Sequence, residues 1–197
     1  RSVQPAGPYY VGSWSMGVVI ALEMAQQLVA QGEQVALLAM LDQGPDIPGP
    51  ELHDEAEYLQ AFFGKQVSLS LDVLRQMTPD DQVAYVLEKL REAKWVSPDI
   101  TLSQFRHFVY LLKSHAQAWR QYEPKVYPGR ITVFRTKHQP PECSQEPDLG
   151  WGRLAAGGVD IEQVRGDHNS MLHPPHVRSF AKKLEAYLRR AREGNGR

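Results

Sequence analysis

Tyr9-Tyr10-Val11-Gly12-Ser13-Trp14-Ser15-Met16-Gly17 runs from an apolar segment straight into a helix-forming one. A strand that turns this sharply into a helix holds the residue at the turn in a strained conformation and presents its side chain at the strand's end. Strand and helix approach closely only if the residues two before and two after the turn are small, and Ser13 and Gly17 fill those places. Ser15 therefore reads as an exposed nucleophile, which makes an enzyme the leading reading. The pattern departs from G-x-S-x-G by carrying Ser13 in place of the first glycine. A serine that merely caps the next helix fits the same five residues.

Outward from the turn, the first third predicts a strand over Tyr9–Trp14, a helix from Met16 to about Ala30 and a strand from Gln34 to Leu41. Ala21, Met24, Ala25 and Leu28 share one helical face, and Gly32 is a stop signal. The run Val35-Ala36-Leu37-Leu38-Ala39-Met40-Leu41 is apolar throughout, as in a parallel strand buried on both faces. This is a βαβ unit, for which a right-handed crossover is expected.

After Asp42 the residues Gly44, Pro45, Pro48, Gly49 and Pro50 form a turn-rich exit. Helices are then expected at Glu51–Phe63, Asp80–Glu92 and Leu102–Gln121, with Thr78-Pro79-Asp80-Asp81 and Ser97-Pro98-Asp99 as start signals. Helices inserted between strands over residues 50–125 suggest a lid over a cleft; a packed helical subdomain without a gating role is the alternative. Tyr58, Phe62, Phe63, Phe105, Phe108 and Tyr110 either line that cleft or form the insertion's core. The sheet resumes at Arg130–Arg135, followed by a loop, a short helix near Trp151–Ala155 and a strand at Val159–Val164. A final amphipathic helix spans about Pro174 to Arg192, with Val177, Phe180, Ala181, Leu184 and Leu188 inward. The fold class is α/β, a mostly parallel sheet flanked by helices with a helical lid insertion.

At 197 residues the chain fits one domain with a substantial core. Lys and Arg total 22 against 23 acidic residues, so no large field favours nucleic acid or an anionic membrane. Arg189-Arg190-Ala191-Arg192 reads as a solvated helix end. A single cysteine, Cys143, in the Pro-rich loop Gln139–Cys143, allows no internal disulfide, suits a reducing cytoplasm and is a bystander thiol. There is no run of 18 apolar residues, and Arg1-Ser2-Val3-Gln4-Pro5 is no signal peptide, so a cytoplasmic location is expected.

A serine nucleophile needs a base to take its proton and a carboxylate to fix the base's tautomer. Asp42 directly follows the buried strand. His168 follows Val159–Val164 within Arg165-Gly166-Asp167-His168-Asn169-Ser170-Met171-Leu172. The order Ser, acid, His, each past a strand end, is that of α/β-hydrolases. Asp46 is the rival acid. His173 and His176 are rival bases, but Pro174-Pro175 between them marks a surface turn, and they lack a third partner for zinc. His53, His107, His115 and His138 read as ordinary surface or packed histidines.

Gly7-Pro8-Tyr9 leading into Ser13–Gly17, then Ala21-Leu22-Glu23-Met24-Ala25, Leu38–Asp42, Tyr127-Pro128-Gly129-Arg130-Ile131 and Gly166–Leu172, resemble the thioesterase domain that ends nonribosomal peptide synthetases and polyketide synthases. The likeness covers nearly the whole chain, insertion included. It implies an α/β-hydrolase fold and a release step, in which a carrier domain delivers an acyl or peptidyl thioester on its phosphopantetheine arm and the domain itself binds no cofactor. It assigns Ser15 as nucleophile, His168 as base, Asp42 as its partner and the Met16 backbone N–H as one oxyanion donor. Water or a nucleophile within the acyl chain ends the reaction, by hydrolysis or cyclisation. Ser13 and Val18 replace glycines common in the family. The family also carries strands and helices ahead of the Gly-Pro-Tyr segment, including a second oxyanion donor, so the chain is expected to be N-terminally incomplete, with the Tyr9–Trp14 edge exposed and prone to association. The alternatives are a free-standing editing thioesterase or general esterase, and a noncatalytic carrier-docking fragment.

Overall fold

The computed structural model of the chain describes residues 3–46, 51–140 and 143–194. Arg1, Ser2, Pro48, Gly49, Pro50, Pro141 and Glu142, used above in reading the start, the turn-rich exit and the Pro-rich loop, lie outside the described residues. Two compact units make up the chain: residues 1–49 with 119–197, which hold the sheet, and residues 50–118, which are helical.

In the sheet unit, β1 (Tyr9–Trp14), β2 (Val35–Leu41), β3 (Ile131–Thr136) and β4 (Val159–Val164) lie side by side in chain order, each pair parallel. Parallel neighbours need crossovers. Helix α1 (Gly17–Ala30) joins β1 to β2, the helical unit falls between β2 and β3 in the chain, a 3-10 turn at Trp151–Arg153 precedes β4, and α6 (Val177–Gly194) follows it.

The apolar run of β2 is explained by cover on both faces. Leu38 and Met40 pack with Val18, Val19 and Leu22 of α1 and with Ile131, Val133 and Trp151. Leu37 and Ala39 pack with Phe134, Val164 and Phe180 of α6 on the other face. Each such buried aliphatic side chain is worth about 1.5–3 kcal/mol, so alternate residues of one strand anchor two layers. The result is the expected α/β architecture, with a parallel sheet between helices.

Two predicted helix faces are corrected. On α1 the buried residues are Val18, Val19, Ala21, Leu22 and Ala25, while Met24 is 52% exposed. The buried arc is centred nearer the N-terminus, where the helix meets the elbow. On α6 Ala181 is exposed, and Tyr187 joins the inner side, set edge-on to Phe134. Gly32 ends the first crossover with φ 77°, a left-handed conformation that glycine adopts without strain.

At the sheet edge, β1 pairs with β2 alone among the described residues. Tyr10, Leu37, Ala39, Phe180, Leu184 and Leu188 line an apolar groove of about 380 Å³ beside it.

The helical unit comprises α2 (Glu55–Phe63), α3 (Leu71–Arg75), α4 (Pro79–Glu92) and most of α5 (Leu102–Gln121). Its own core joins Leu59, Leu74, Val86, Leu87, Leu90 and Phe105. The starts of α2, α4 and α5 follow side-chain caps. α2 starts at Glu55 rather than Glu51, capped by Asp54, which accepts from Glu57 N at 2.8 Å, and Thr78 caps α4. Ser97–Asp99 forms a turn instead; α5 starts from a reciprocal box in which Thr101 Oγ1 accepts from Gln104 N and Gln104 Oε1 accepts from Thr101 N. Of the six aromatic residues singled out in this segment, Tyr58, Phe63 and Phe105 are buried, whereas Phe108 and Tyr110 are 49% and 65% exposed. Phe62, Phe63, Phe105 and Phe108 line an apolar pocket of about 610 Å³ within the unit. Among the described residues no helix is long and apolar enough to cross a membrane.

Candidate active site

Parallel strands all point one way, so the residues that follow β1, β2, β3 and β4 collect at the carboxyl end of the sheet. Ser15, Asp42, Gln139 and His168 are such residues.

Ser15 sits between β1 and α1 with φ 55°, a left-handed conformation that costs a non-glycine residue about 1–2 kcal/mol. The sharpness of the turn shows at Gly17, where an added Cβ would lie 1.9 Å from Ser13 Oγ. Glycine at 17 thus leaves room for the Ser13 side chain where the strand and helix meet. The capping alternative finds no support: the N-cap of α1 is Met16, and no side-chain hydrogen bond caps the helix. As N-cap, Met16 also has a backbone N–H outside the intrahelical bonding pattern.

Asp42 leaves β2 with φ 54° and is 2% exposed. Its backbone N–H extends the ladder to Phe134 O at 2.8 Å. Its carboxylate is met by donors on both oxygens. Thr136 N (2.6 Å) and Gln139 Nε2 (2.7 Å) donate to Oδ1, and Thr136 Oγ1 (2.9 Å) donates to Oδ2. The chain just beyond is pinned by two indoles, Trp151 Nε1 donating to Gln43 O and Trp119 Nε1 to Pro45 O. Gly44 between them has no room for a side chain, because a Cβ would lie 2.3 Å from Leu149 O.

His168 Nδ1 lies 3.1 Å from Asp42 O and 3.4 Å from Asp42 Oδ2. Both partners are acceptors, so the proton belongs on Nδ1 and the lone pair on Nε2. The loop that carries His168 is closed by Asp167, whose Oδ1 accepts from the backbone N–H groups of Asn169 and Ser170. Those bonds, that of Ser170 first, hold the Asp167 carboxyl below its ordinary value.

Asp42 and His168 are therefore brought into direct contact. Ser15 is linked to His168 by its chain neighbour Trp14, whose indole stacks on the imidazole with centroids 5.0 Å apart and planes at 25° and whose Nε1 donates to His168 O at 3.0 Å. Ser15 Oγ has no hydrogen bond among the described residues. The rival acid Asp46 is exposed and ion-paired with Arg153. His173 and His176 lie in the turn before α6, where His173 N bonds Ser170 O. Trp14, Thr136 and Gln139 were not singled out from the sequence. Trp14 was within reach, as the large residue beside the candidate nucleophile. The other two depend on the register of β3.

A family model, the thioesterase domain, matches residues 1–188. Chondramide synthase cmdD of Chondromyces crocatus is 27% identical over 200 residues, which cover 93% of this chain and 5% of that protein. The non-reducing polyketide synthase crz7 of Cladonia metacorallifera is 44% identical over 203 residues, 95% of this chain and 9% of that protein. The chain thus spans less than a tenth of the length of these relatives. Among solved structures, holo-AB3403, a four-domain nonribosomal peptide synthetase bound to AMP and glycine, superposes with a TM-score of 0.83 at 27% identity, covering 94% of this chain and 15% of that one.

Proposed function

Because the chain belongs to the thioesterase-domain family found in nonribosomal peptide and polyketide synthases, we propose that it releases an acyl or peptidyl chain from a carrier domain through an acyl-serine intermediate. The observation that carries this reading is the His168 Nδ1 contact with Asp42, at the carboxyl end of the sheet where Ser15 also stands in its strained turn.

In this reading Ser15 Oγ attacks the thioester carbonyl while His168 Nε2 takes its proton. The imidazolium that forms is held through Nδ1–H by Asp42. Negative charge on the carbonyl oxygen is met by the Met16 N–H, a donor fixed before the reaction begins. Collapse breaks the C–S bond, and the proton on Nε2 passes to the departing phosphopantetheine thiolate. Water, or a nucleophile within the acyl chain, then attacks the ester; His168 takes its proton and returns it to Ser15. The step requires no cofactor bound by this domain. The partner it implies is an acyl or peptidyl carrier domain, in keeping with the multidomain relatives.

The test is intact-mass spectrometry of the chain with an acyl-pantetheine thioester, with Ser15→Ala in parallel. An acyl adduct and released acid are expected from the parent and neither from the variant. Equal turnover by Ser15→Ala would overturn the acyl-serine route.

A further inference from the structure

Trp14 is 38% exposed at the end of an edge strand, so core packing does not account for a side chain of its size there. Its ring is tied to a residue 154 positions away. The Nε1–H fixes the backbone of His168, and the indole face covers the ring. Asp42 holds the same imidazole through Nδ1. A ring hinged about Cα–Cβ is fully oriented only when both its plane and one edge are restrained. Asp42 restrains the edge, and Trp14 restrains the plane.

We infer that Trp14 is a positioning residue that sets the plane of His168 relative to Ser15; this rests on the reading of Ser15 as nucleophile and His168 as base. Since Trp14 and Ser15 are consecutive, the elbow that strains the serine also fixes where the base stands. Two distant loops thereby acquire one geometry. The indole face also lies against the positive charge that the imidazole takes up with the serine proton, an attraction that operates at centroid distances within about 6 Å.

The test uses a fluorophosphonate, which reacts with an activated serine whatever acyl chain the enzyme prefers: Ser15 Oγ bonds phosphorus, fluoride leaves, and the serine proton passes to His168. Labelling of the full chain is followed by intact mass for the parent, Trp14→Phe and Trp14→Leu, and kinact is separated from KI. Loss of both contacts in Trp14→Leu is expected to lower kinact about 10–100-fold, within the range set by misplacing a general base, with KI changed less than about 2-fold. Trp14→Phe keeps a ring to stack but loses the N–H, and recovers part of that loss.

A parent-like kinact in Trp14→Leu overturns the inference, as does a change in KI alone. If Trp14→Leu proves to be unfolded by its melting curve, Trp14→Phe decides, and a parent-like kinact there overturns the inference. Labelling that persists in Ser15→Ala sinks the reading of Ser15 itself. Labelling abolished by Ser15→Ala, with Trp14→Leu at the parent's rate, sinks only the role of Trp14.

Discussion

Asp42 combines a left-handed backbone with a buried carboxylate, two costly features at one residue. Donors offset the second. Thr136 supplies its backbone N–H and its hydroxyl, and Gln139 adds a side-chain N–H from the following loop. A hydrogen bond to a charged group contributes about 1.5–3 kcal/mol, so Gln139→Leu is expected to destabilise the sheet unit by about that amount in urea unfolding at neutral pH. Gln139→Glu should cost more, because it sets a second carboxylate against the first. Equal stability of parent and Gln139→Leu would show that Thr136 alone suffices. Asp42 was legible in the sequence because it follows seven apolar residues without a break. Its donors were not, since they lie more than ninety residues away along the chain and meet it only once β3 takes its register beside β2.

Among the elements, strands and helix ends were read best where one local rule decides them. β1 and β4 match their predicted bounds, and α4 starts where Thr78 and Pro79 signal it. Burial faces were read less well, because which side of a helix is covered depends on what packs there; Met24 and Ala181 are exposed for that reason. The loop after β4 offers a pH test. Asp167 closes it as a carboxylate whose folded value lies below the unfolded one, near 3.9. The unfolded state then binds more protons in that window, so stability falls as pH is lowered through it. Above the window the contribution is complete. Asp167→Asn keeps an acceptor oxygen but cannot titrate, so its urea midpoint should fall less steeply between about pH 5 and 2 than the parent's. Parallel curves would refute the role of this carboxylate in holding the His168 loop.

Across the molecule, the compact units follow the chain's own punctuation, with the helical insertion running from Pro50 to Ala118 between two strands of one sheet. The family likeness was legible because motifs are local. How far the 380 Å³ groove extends beside β1 was not, as it is assembled from β1, β2 and α6. An unpaired edge strand beside an apolar groove is a template for association. The 197-residue chain is therefore expected to show an apparent mass that rises with concentration in sedimentation. Tyr10→Lys, which sets a charge in the groove, should suppress that rise; a concentration-independent monomer would contradict the expectation.

The placement of the insertion also sets a timetable for synthesis. Strand β2 is complete at Leu41, but its neighbour β3 does not begin until Ile131. A ribosome adding about 5–20 residues per second takes roughly 5–20 s to cover that interval. Throughout it β2 can pair with β1 on one flank, while the strand that pairs with its other flank has not yet been made. The nascent chain thus passes through an obligatory waiting period, in which holding by a chaperone, or early compaction of the helices as they emerge, decides how much of it reaches the finished sheet.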